Sequence, residues 1–409
     1  MSHFKYFRKK LFVESIAVQN IAKKNNTPFY LYSAQQIKKN YLGFKKIFEH
    51  VGPLICFAAK ANTNLTIMRI LGKLGAGADV VSGGELLKAL KAGIKPNKIV
   101  FSGVGKTEEE LKLAVRKKIL LINVESESEA ILINKIGNKI NKIISIGFRL
   151  NPNVDAKTHK KISTGKAENK FGVSIKNFSS FYKNIKQYKF LKIDALSVHI
   201  GSQILSDTPY KKTLDVLSKV IRELNIKLKY VDLGGGFGIS YSKKDKQINL
   251  NNYAKLVCNF KKKLNCNIIF EPGRTLVGNT GILVSRIQYI KKGLKKNFII
   301  IDAGMNDFMR TALYDARHDI MPVIKTNKKN KTPIEFVGPI CETSCKFSNY
   351  KRFQKMEEGD FVAITNVGAY GSSLSSNYNT KPLIAEILAN KNSFKIIRRK
   401  QDLLKLINS

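Results

Sequence analysis

The sequence predicts an α/β fold, a (β/α)8 TIM barrel, followed by a smaller β domain, and three observations lead to that prediction. Between residues 54 and 270, short apolar runs typical of buried strands alternate with segments of helical spacing. There are eight such runs, and eight strand and helix units in about 250 residues are the usual content of a (β/α)8 barrel. After residue 274, alternating apolar runs separated by Gly and Pro are typical of a β domain.

The predicted elements follow one another in a regular order. Barrel strands are predicted at Leu54 to Ala59, Ala78 to Val81, Ile99 to Ser102, Leu120 to Val124, Ile143 to Leu150, Ile193 to Val198, Tyr230 to Leu233 and Asn267 to Phe270. Helices are predicted at Leu65 to Leu74, Gly84 to Ala92, Glu108 to Arg116, Ser126 to Lys135 and Pro209 to Leu224. Strands of the β domain are predicted at Gly281 to Ile290, Asn297 to Asp302, Ile334 to Val337 and Phe361 to Thr365. Near-continuous apolar strands indicate a parallel sheet, so a doubly wound open sheet is the competing fold.

Length and composition indicate a cytoplasmic protein of more than one domain. At 409 residues the chain exceeds what one hydrophobic core usually holds. Its apolar stretches are shorter than a membrane-spanning helix needs, and its first residues carry charges where a signal peptide has an apolar core. The five cysteines are odd in number and include no CxxC pair, which disfavours a disulfide framework or a metal site.

The formal net charge of +42 is extreme and by itself suggests an anionic partner such as nucleic acid. However, the basic residues are scattered in pairs along the whole chain, without the interleaved aromatic residues of a base-stacking surface. We therefore expect solvated lysines on helix faces and no specific nucleic-acid partner. Weak RNA binding at low salt would be compatible with this composition.

A single lysine, Lys60, closes the apolar run CFAAKAN at residues 56–62. A lysine that ends a hydrophobic strand is expected to be largely desolvated, which lowers its pKa and favours the neutral amine that forms a Schiff base with an aldehyde. The alternative is a structural lysine that extends its amine from the strand end to solvent. The rest of the chain decides between the two.

Polar or glycine-rich elements end the predicted strands, and in a barrel these ends meet at one mouth. They are Lys60, Asp79, Ser102, Asn123, Arg149, His199, Gly234 to Gly236, and Glu271 with Arg274. The run GGGFG follows the seventh strand, and EPGR follows the eighth, where barrels commonly bind phosphate. Glycines let backbone N–H groups approach a phosphate closely.

An aldehyde-reactive lysine and a phosphate cradle at one mouth suggest pyridoxal 5′-phosphate. This cofactor needs a carboxylate beside its pyridine nitrogen, and Glu271 is the candidate. His199 could stack on the ring, although an isolated histidine is more often structural. Ser202 could add a hydroxyl to the phosphate site.

The motifs, in their order, resemble those of the diaminopimelate decarboxylases, members of the fold type III, alanine racemase-like family of pyridoxal phosphate enzymes. They are FAAKAN, LGAGADVVSGGEL, VHIGSQ, DLGGGFG, EPGR, DAGMNDFMR with ALYDA, GPICET, and GAYG with SNYN. The resemblance implies a barrel of about residues 27–272 and a β domain of residues 1–26 and 273–409. It also implies a homodimer whose active sites are completed by the partner subunit.

The resemblance further implies a role for each matching residue. Lys60 and Cys341 would be catalytic, with Lys60 holding the cofactor and Cys341, from the partner subunit, returning a proton to the α-carbon. The cofactor site would comprise Lys60, Asp79, His199, Ser202, Gly234, Gly235, Gly236, Glu271, Gly273, Arg274 and Tyr370. The substrate would be held by Arg274, Arg310, Tyr314, Glu342 and Tyr370. The implied reaction converts meso-2,6-diaminopimelate to L-lysine and CO2, the last step of lysine biosynthesis.

The substrate carries a distal carboxylate and a distal ammonium, so its site needs a cation and an anion. Arg274 or Arg310 and Glu342 meet that need. The sequence leaves two alternatives: a decarboxylase of another basic amino acid (ornithine, lysine or carboxynorspermidine), and a non-catalytic regulator or RNA-binding protein that would be expected to lose Lys60 or Cys341. One departure from the family pattern is Cys345, where an aspartate is usual.

Overall fold

The computed structural model describes residues 3–156, 158–162, 164–166, 168–242, 245 and 248–408. These residues form two compact units. The barrel unit comprises described residues within 41–239 and 246–275, and the sheet unit comprises those within 1–40, 240–245 and 276–409. None of the helices among the described residues combines the length and the hydropathy needed to span a bilayer.

The barrel unit contains a closed ring of eight parallel strands. They are Leu54–Ala58, Gly77–Val80, Ile99–Phe101, Leu121–Val124, Ile144–Asn151, Leu191–Ser197, Tyr230–Asp232 and Asn267–Phe270. Each strand pairs with the next, and the eighth pairs with the first where Phe270 lies opposite Ile55. This last pairing closes the sheet, so the predicted barrel is confirmed and the open sheet is wrong. The short strand Val173–Ser174 pairs in parallel with Leu150 and Asn151, at the end of the fifth strand.

Helices separate the strands, and a capping side chain marks the start of several of them. The helices are Ala34–Ile47, Leu65–Lys73, Gly83–Lys91, Glu108–Arg116, Glu127–Lys139, Ile175–Lys186, Thr208–Glu223, Leu250–Leu264 and Arg274–Val277. Glu108–Arg116 begins at a capping box: the Thr107 hydroxyl accepts from the Glu110 N–H, and the Glu110 carboxylate accepts from the Thr107 N–H. All five predicted helices are present, with ends that differ by a few residues.

An aromatic cluster fixes the glycine run that follows the seventh strand. Phe237, within GGGFG, packs on Phe48 and Phe270 with ring centroids 6.5 and 5.8 Å apart. It stacks on Tyr210 at 5.3 Å, and the Tyr210 hydroxyl donates a 3.0 Å hydrogen bond to the Gly235 carbonyl. The run is therefore held by packed aromatic rings and is not a loose turn.

The sheet unit is mostly antiparallel. Its strands are Phe4–Phe7, Lys10–Val13, Ile16–Ala17, Phe29–Ser33, Gly281–Lys291, Asn297–Ile301, Ile320–Pro322, Ile334–Val337, Lys346–Tyr350, Phe361–Ile364, Ala385–Asn390 and Ser393–Arg398. Its helices are Val18–Lys24, Arg310–Tyr314 and Leu403–Ile407. The N-terminal residues Leu11 and Val13 share one buried core with Ile282 and Ile387, so the N-terminal segment joins the β domain as predicted.

The strand Phe29–Ser33 belongs to the sheet unit. It pairs antiparallel with Gly281–Lys291 and parallel with Ala385–Asn390. For this reason the barrel unit begins at residue 41, later than the residue 27 expected from the sequence.

Candidate active site

Lys60 lies in a 3₁₀ turn, Ala59–Ala61, directly after the first barrel strand. Its amine forms a 2.8 Å ion pair with a carboxylate oxygen of Asp79, at the end of the second strand. The Lys60 side chain is 35% exposed, whereas that of Asp79 is fully buried. Lys60 is therefore less desolvated than the sequence suggested, and its amine is held by charge at the barrel mouth. Gly273 packs against this turn, since a Cβ built there would lie 3.0 Å from the Cβ of Ala61.

The glycine run approaches its neighbours too closely for any side chain. A Cβ at Gly235 would lie 2.1 Å from the Glu271 carbonyl oxygen, and one at Gly236 would lie 2.2 Å from that of Gly201. Gly236 also has a φ of +87°, which disfavours other residues. Beside it, Arg274 donates a 3.1 Å hydrogen bond to the Ser202 hydroxyl. This end of the mouth offers a cation, a hydroxyl and close-packed backbone, a donor set that suits an anion.

His199 is oriented by the same run. Its Nδ1 accepts a 3.2 Å hydrogen bond from the Gly235 N–H, which leaves the proton of the neutral ring on Nε2. Desolvation, followed by the charges of Lys60 and Arg149, lowers the pKa of His199 well below its usual range. The side chain is therefore a neutral imidazole, which can lie against an aromatic ring.

Glu271 belongs to a buried acid network. Ser102 donates a 3.2 Å hydrogen bond to its carboxyl group, and Asn123 donates 3.1 Å bonds to both Ser102 and Asp232. The Gly234 N–H also donates to Asp232, at 3.0 Å. The Asp232 and Glu271 carboxyl groups share a hydrogen bond. Burial, and next the charge of Asp232, raise the pKa of Glu271 well above its usual range, while burial raises the pKa of Asp232 to about 6.

One cavity of about 280 Å³ collects several of these groups at the strand ends. Its lining includes Lys60, Ser102, Asn123, Arg149, His199 and Glu271. Three of them, Lys60, His199 and Glu271, were predicted site residues. Arg149 had been noted only as a strand end. It forms a 2.7 Å ion pair with Glu125, whose other carboxylate oxygen accepts from the Gly172 N–H.

The predicted site residues of the sheet unit lie on three segments. Arg310 is 5% exposed and Tyr314 is the last residue of the same helix, with the guanidinium carbon 5.9 Å from the Tyr314 ring centroid. Tyr370 has a φ of +55°, an uncommon backbone conformation for a residue with a side chain. Such strain is typical of functional loops.

Cys341 and Glu342 lie in the GPICET loop. Cys341 is an exposed free thiol, whereas the free thiol of Cys345 is buried. The Glu342 carboxylate accepts hydrogen bonds from the Tyr378 hydroxyl at 2.5 Å and from the Ser344 hydroxyl at 2.9 Å, and these bonds lower its pKa. Tyr378 was missed by the sequence analysis, although its SNYN motif was noted.

Comparison with known proteins identifies the family. Residues 34–278 match the family described as pyridoxal-dependent decarboxylase, pyridoxal binding domain. The diaminopimelate decarboxylase of Aquifex aeolicus is 41% identical over 98% of this chain and 95% of its own length. This chain belongs to the diaminopimelate decarboxylase family. The Haemophilus influenzae member is 41% identical over 99% of this chain and 98% of its own.

Solved structures of diaminopimelate decarboxylases share the whole fold. The Helicobacter pylori enzyme complexed with L-lysine has a TM-score of 0.91 at 41% identity, covering 96% of this chain and 98% of that one. The diaminopimelate decarboxylase from m. jannaschii, in co-complex with L-lysine, has a TM-score of 0.92 at 36% identity, covering 99% of this chain and 96% of that one. The similarity therefore extends over both units.

The cofactor of this decarboxylase family is pyridoxal phosphate, and the barrel residues fit it. Lys60 would offer an amine to the aldehyde, Glu271 would offer a carboxyl group to the pyridine nitrogen, and the glycine run with Arg274 would form an anion site. In addition, Oδ1 of Asp79 is buried without a hydrogen-bond partner among the described residues, as expected where a bound group supplies the donor.

We predict that Gly235→Ala weakens cofactor binding. The added methyl group would lie 2.1 Å from the Glu271 carbonyl oxygen, so one of the two strand ends must move. Overpacking of this kind costs about 1–3 kcal/mol. Cofactor affinity is measured by absorption titration and stability by urea unfolding. Gly43→Ala is the matched control, because nothing lies within 4 Å of its Cβ position; equal affinity in both variants would contradict the prediction.

We also predict a pH-dependent gain in stability for Glu271→Gln in the cofactor-free protein. Folding raises the pKa of Glu271. The contribution of this carboxyl group to the free energy of unfolding is therefore largest below its ordinary pKa of 4.5 and declines as the pH rises. Glutamine cannot ionise and keeps an N–H donor toward Asp232. The difference in unfolding free energy between variant and wild type should therefore grow from about pH 5 to pH 8. Urea unfolding across this range tests it, with exposed Glu108→Gln as control; a constant difference would refute the prediction.

Proposed function

We propose that this chain is the carboxy-lyase of EC 4.1.1.20, which converts meso-2,6-diaminopimelate to L-lysine and carbon dioxide. The observation that carries the proposal is the grouping of Lys60, His199 and Glu271 around one cavity, in a chain 41% identical to a diaminopimelate decarboxylase over nearly its full length. Relatives at about 40% identity are named diaminopimelate decarboxylase. This shared name favours diaminopimelate as the substrate over ornithine, lysine or carboxynorspermidine.

The barrel residues bind and orient the cofactor. Lys60 would hold its aldehyde carbon, Glu271 would face the pyridine nitrogen, and neutral His199 would lie against the ring. Asp79, Ser202, Gly234 to Gly236, Gly273 and Arg274 would line the remainder of the cofactor site. When bound, pyridoxal phosphate supplies an electron sink for the electron pair that stays on the α-carbon as carbon dioxide leaves.

The residues of the sheet unit choose the substrate and complete the reaction. Arg310, with Arg274, provides cations for the carboxylates, and Glu342 provides the anion for the distal ammonium. Tyr314 and Tyr370 contribute further substrate contacts, and Tyr370 also reaches the cofactor. Cys341 donates a proton to the α-carbon, which replaces the lost carboxylate and yields L-lysine.

The proposal includes a homodimer in which Cys341 serves the active site of the partner subunit. The exposure of Cys341 supports this arrangement, because a group that acts on another subunit must be accessible in the isolated chain. A cytoplasmic location is part of the same proposal, in keeping with five cysteines that are all free thiols.

The decisive assay is the incubation of purified protein with pyridoxal phosphate and meso-diaminopimelate. We expect equimolar release of carbon dioxide and L-lysine by the wild type and none by Lys60→Ala. L-lysine, L-ornithine and carboxynorspermidine are tested in parallel and should be poor substrates. Comparable turnover of any of them would refute the substrate assignment, and absence of the absorption band of lysine-bound cofactor would refute the cofactor role of Lys60.

Shared active sites are tested by mixing two inactive variants. In a heterodimer of Lys60→Ala with Cys341→Ala, one site would contain both wild-type residues and the other neither. Random subunit exchange should therefore restore roughly one quarter of the wild-type activity. Exchange of Lys60→Ala with Lys60→Met is the control and should restore none. Sites contained within one subunit would give no recovery in either mixture.

A further inference from the structure

His318 is a fully buried residue of the sheet unit to which the proposed reaction gives no role. Its ring is held between two aromatic side chains. The ring centroid of Phe308 lies 4.7 Å away at an angle of 90°, and that of Tyr241 lies 4.9 Å away at 69°. The imidazole is therefore fixed in position and orientation.

Both ring nitrogens have partners, and these partners define the tautomer. Nδ1 lies 2.8 Å from the Thr365 carbonyl oxygen, which can only accept, so Nδ1 carries the proton. Nε2 accepts a 3.2 Å hydrogen bond from Nε of Arg310, which is always a donor. His318 is thus a neutral imidazole whose lone pair points at the guanidinium of Arg310.

The same contacts fix the plane of the guanidinium. Arg310 is 5% exposed, and its guanidinium carbon lies 5.3 Å from the Tyr241 ring centroid. A guanidinium binds a carboxylate best through two parallel N–H bonds, which requires the plane of the fork to match that of the carboxylate. A hydrogen bond at Nε sets this plane without consuming either terminal amino group.

We propose that His318 is a positioning residue for substrate recognition, which orients the Arg310 guanidinium toward a carboxylate of the substrate through the Nε2 lone pair. The inference rests on the proposed function, because it needs Arg310 to bind the substrate. In this role His318 influences substrate specificity and itself touches neither substrate nor cofactor. The contacts that carry the effect run from the Thr365 carbonyl through the imidazole of His318 to Arg310.

The test compares His318→Gln with His318→Met. The two side chains have similar length, but only the glutamine carbonyl is a strong acceptor for the Arg310 Nε–H. We expect His318→Met to raise the KM for meso-diaminopimelate roughly 10–100-fold with a smaller change in kcat, and His318→Gln to retain most of the affinity. His318→Asn is a second variant, since its amide is too short to reach Arg310 while it can still donate to Thr365; it should resemble Met.

A double-mutant cycle assigns the effect to Arg310. In an Arg310→Ala background, His318→Met and His318→Gln should have the same KM, because the group that they orient is gone. Each variant is also checked for cofactor absorption and for the urea midpoint of unfolding. If His318 had a purely structural role, its substitution would change both quantities equally in the Arg310 and the Arg310→Ala backgrounds. Equal KM for Gln and Met in the Arg310 background, or an undiminished effect of Met in the Arg310→Ala background, would overturn the proposal.

Failure of the proposed function itself is recognised separately. If the wild type releases no lysine, the binding of meso-diaminopimelate is measured by calorimetry with the cofactor-loaded protein. Weaker binding by His318→Met than by His318→Gln would then still support the positioning role. No binding by the wild type would refute both the proposed substrate and the inference.

Discussion

The close approach of the glycine run 234–236 to its neighbours is the constraint on which the barrel mouth depends. Gly235 lies against the Glu271 backbone, its N–H holds His199, and its carbonyl accepts from Tyr210. The Gly234 N–H fixes Asp232, which belongs to the network of Glu271. One short segment therefore sets the positions of an imidazole and a pair of carboxyl groups, and no side chain larger than hydrogen can be placed in it.

The buried acids carry an energetic cost that a purely structural barrel would avoid. Burying two carboxyl groups side by side disfavours the ionised state of both, and the pKa of each is raised, that of Asp232 to about 6. A positively charged ring nitrogen beside Glu271 would relieve this cost. The two buried carboxyl groups therefore suit a site for a protonated pyridine. Their burial lowers the stability of the fold in exchange for that function.

The sequence predicted much of the barrel and less of the sheet unit, for physical reasons. Strands buried on both faces are near-continuous apolar runs, so all eight stand out in the sequence from the more polar segments between them. Phe29–Ser33 is equally apolar, but its partners lie far along the chain at Gly281–Lys291 and Ala385–Asn390. Local pattern cannot reveal such pairing.

Residues that line the cavity were predicted where the residue type alone suggests chemistry, as for Lys60 and Glu271. Residues whose role arises from a neighbour were missed. Asp232 was noted only within DLGGGFG, two residues before the first glycine, and His318 gave no signal because its proposed role depends on the lone pair that it directs at Arg310. Such roles depend on distances between residues whose spacing in sequence carries no information.

Cys345 shows how a departure from a family pattern can conserve a physical role. Its Sγ is buried and accepts a 3.3 Å hydrogen bond from the Met305 N–H, and burial raises the pKa of this thiol. An aspartate, usual here by family resemblance, could accept the same bond but would place a charge in a buried position. The thiol keeps the acceptor and removes that charge. Cys345 is buried while Cys341 is exposed, so the two thiols have different surroundings, and this difference supports the proposal that Cys341 is the proton donor.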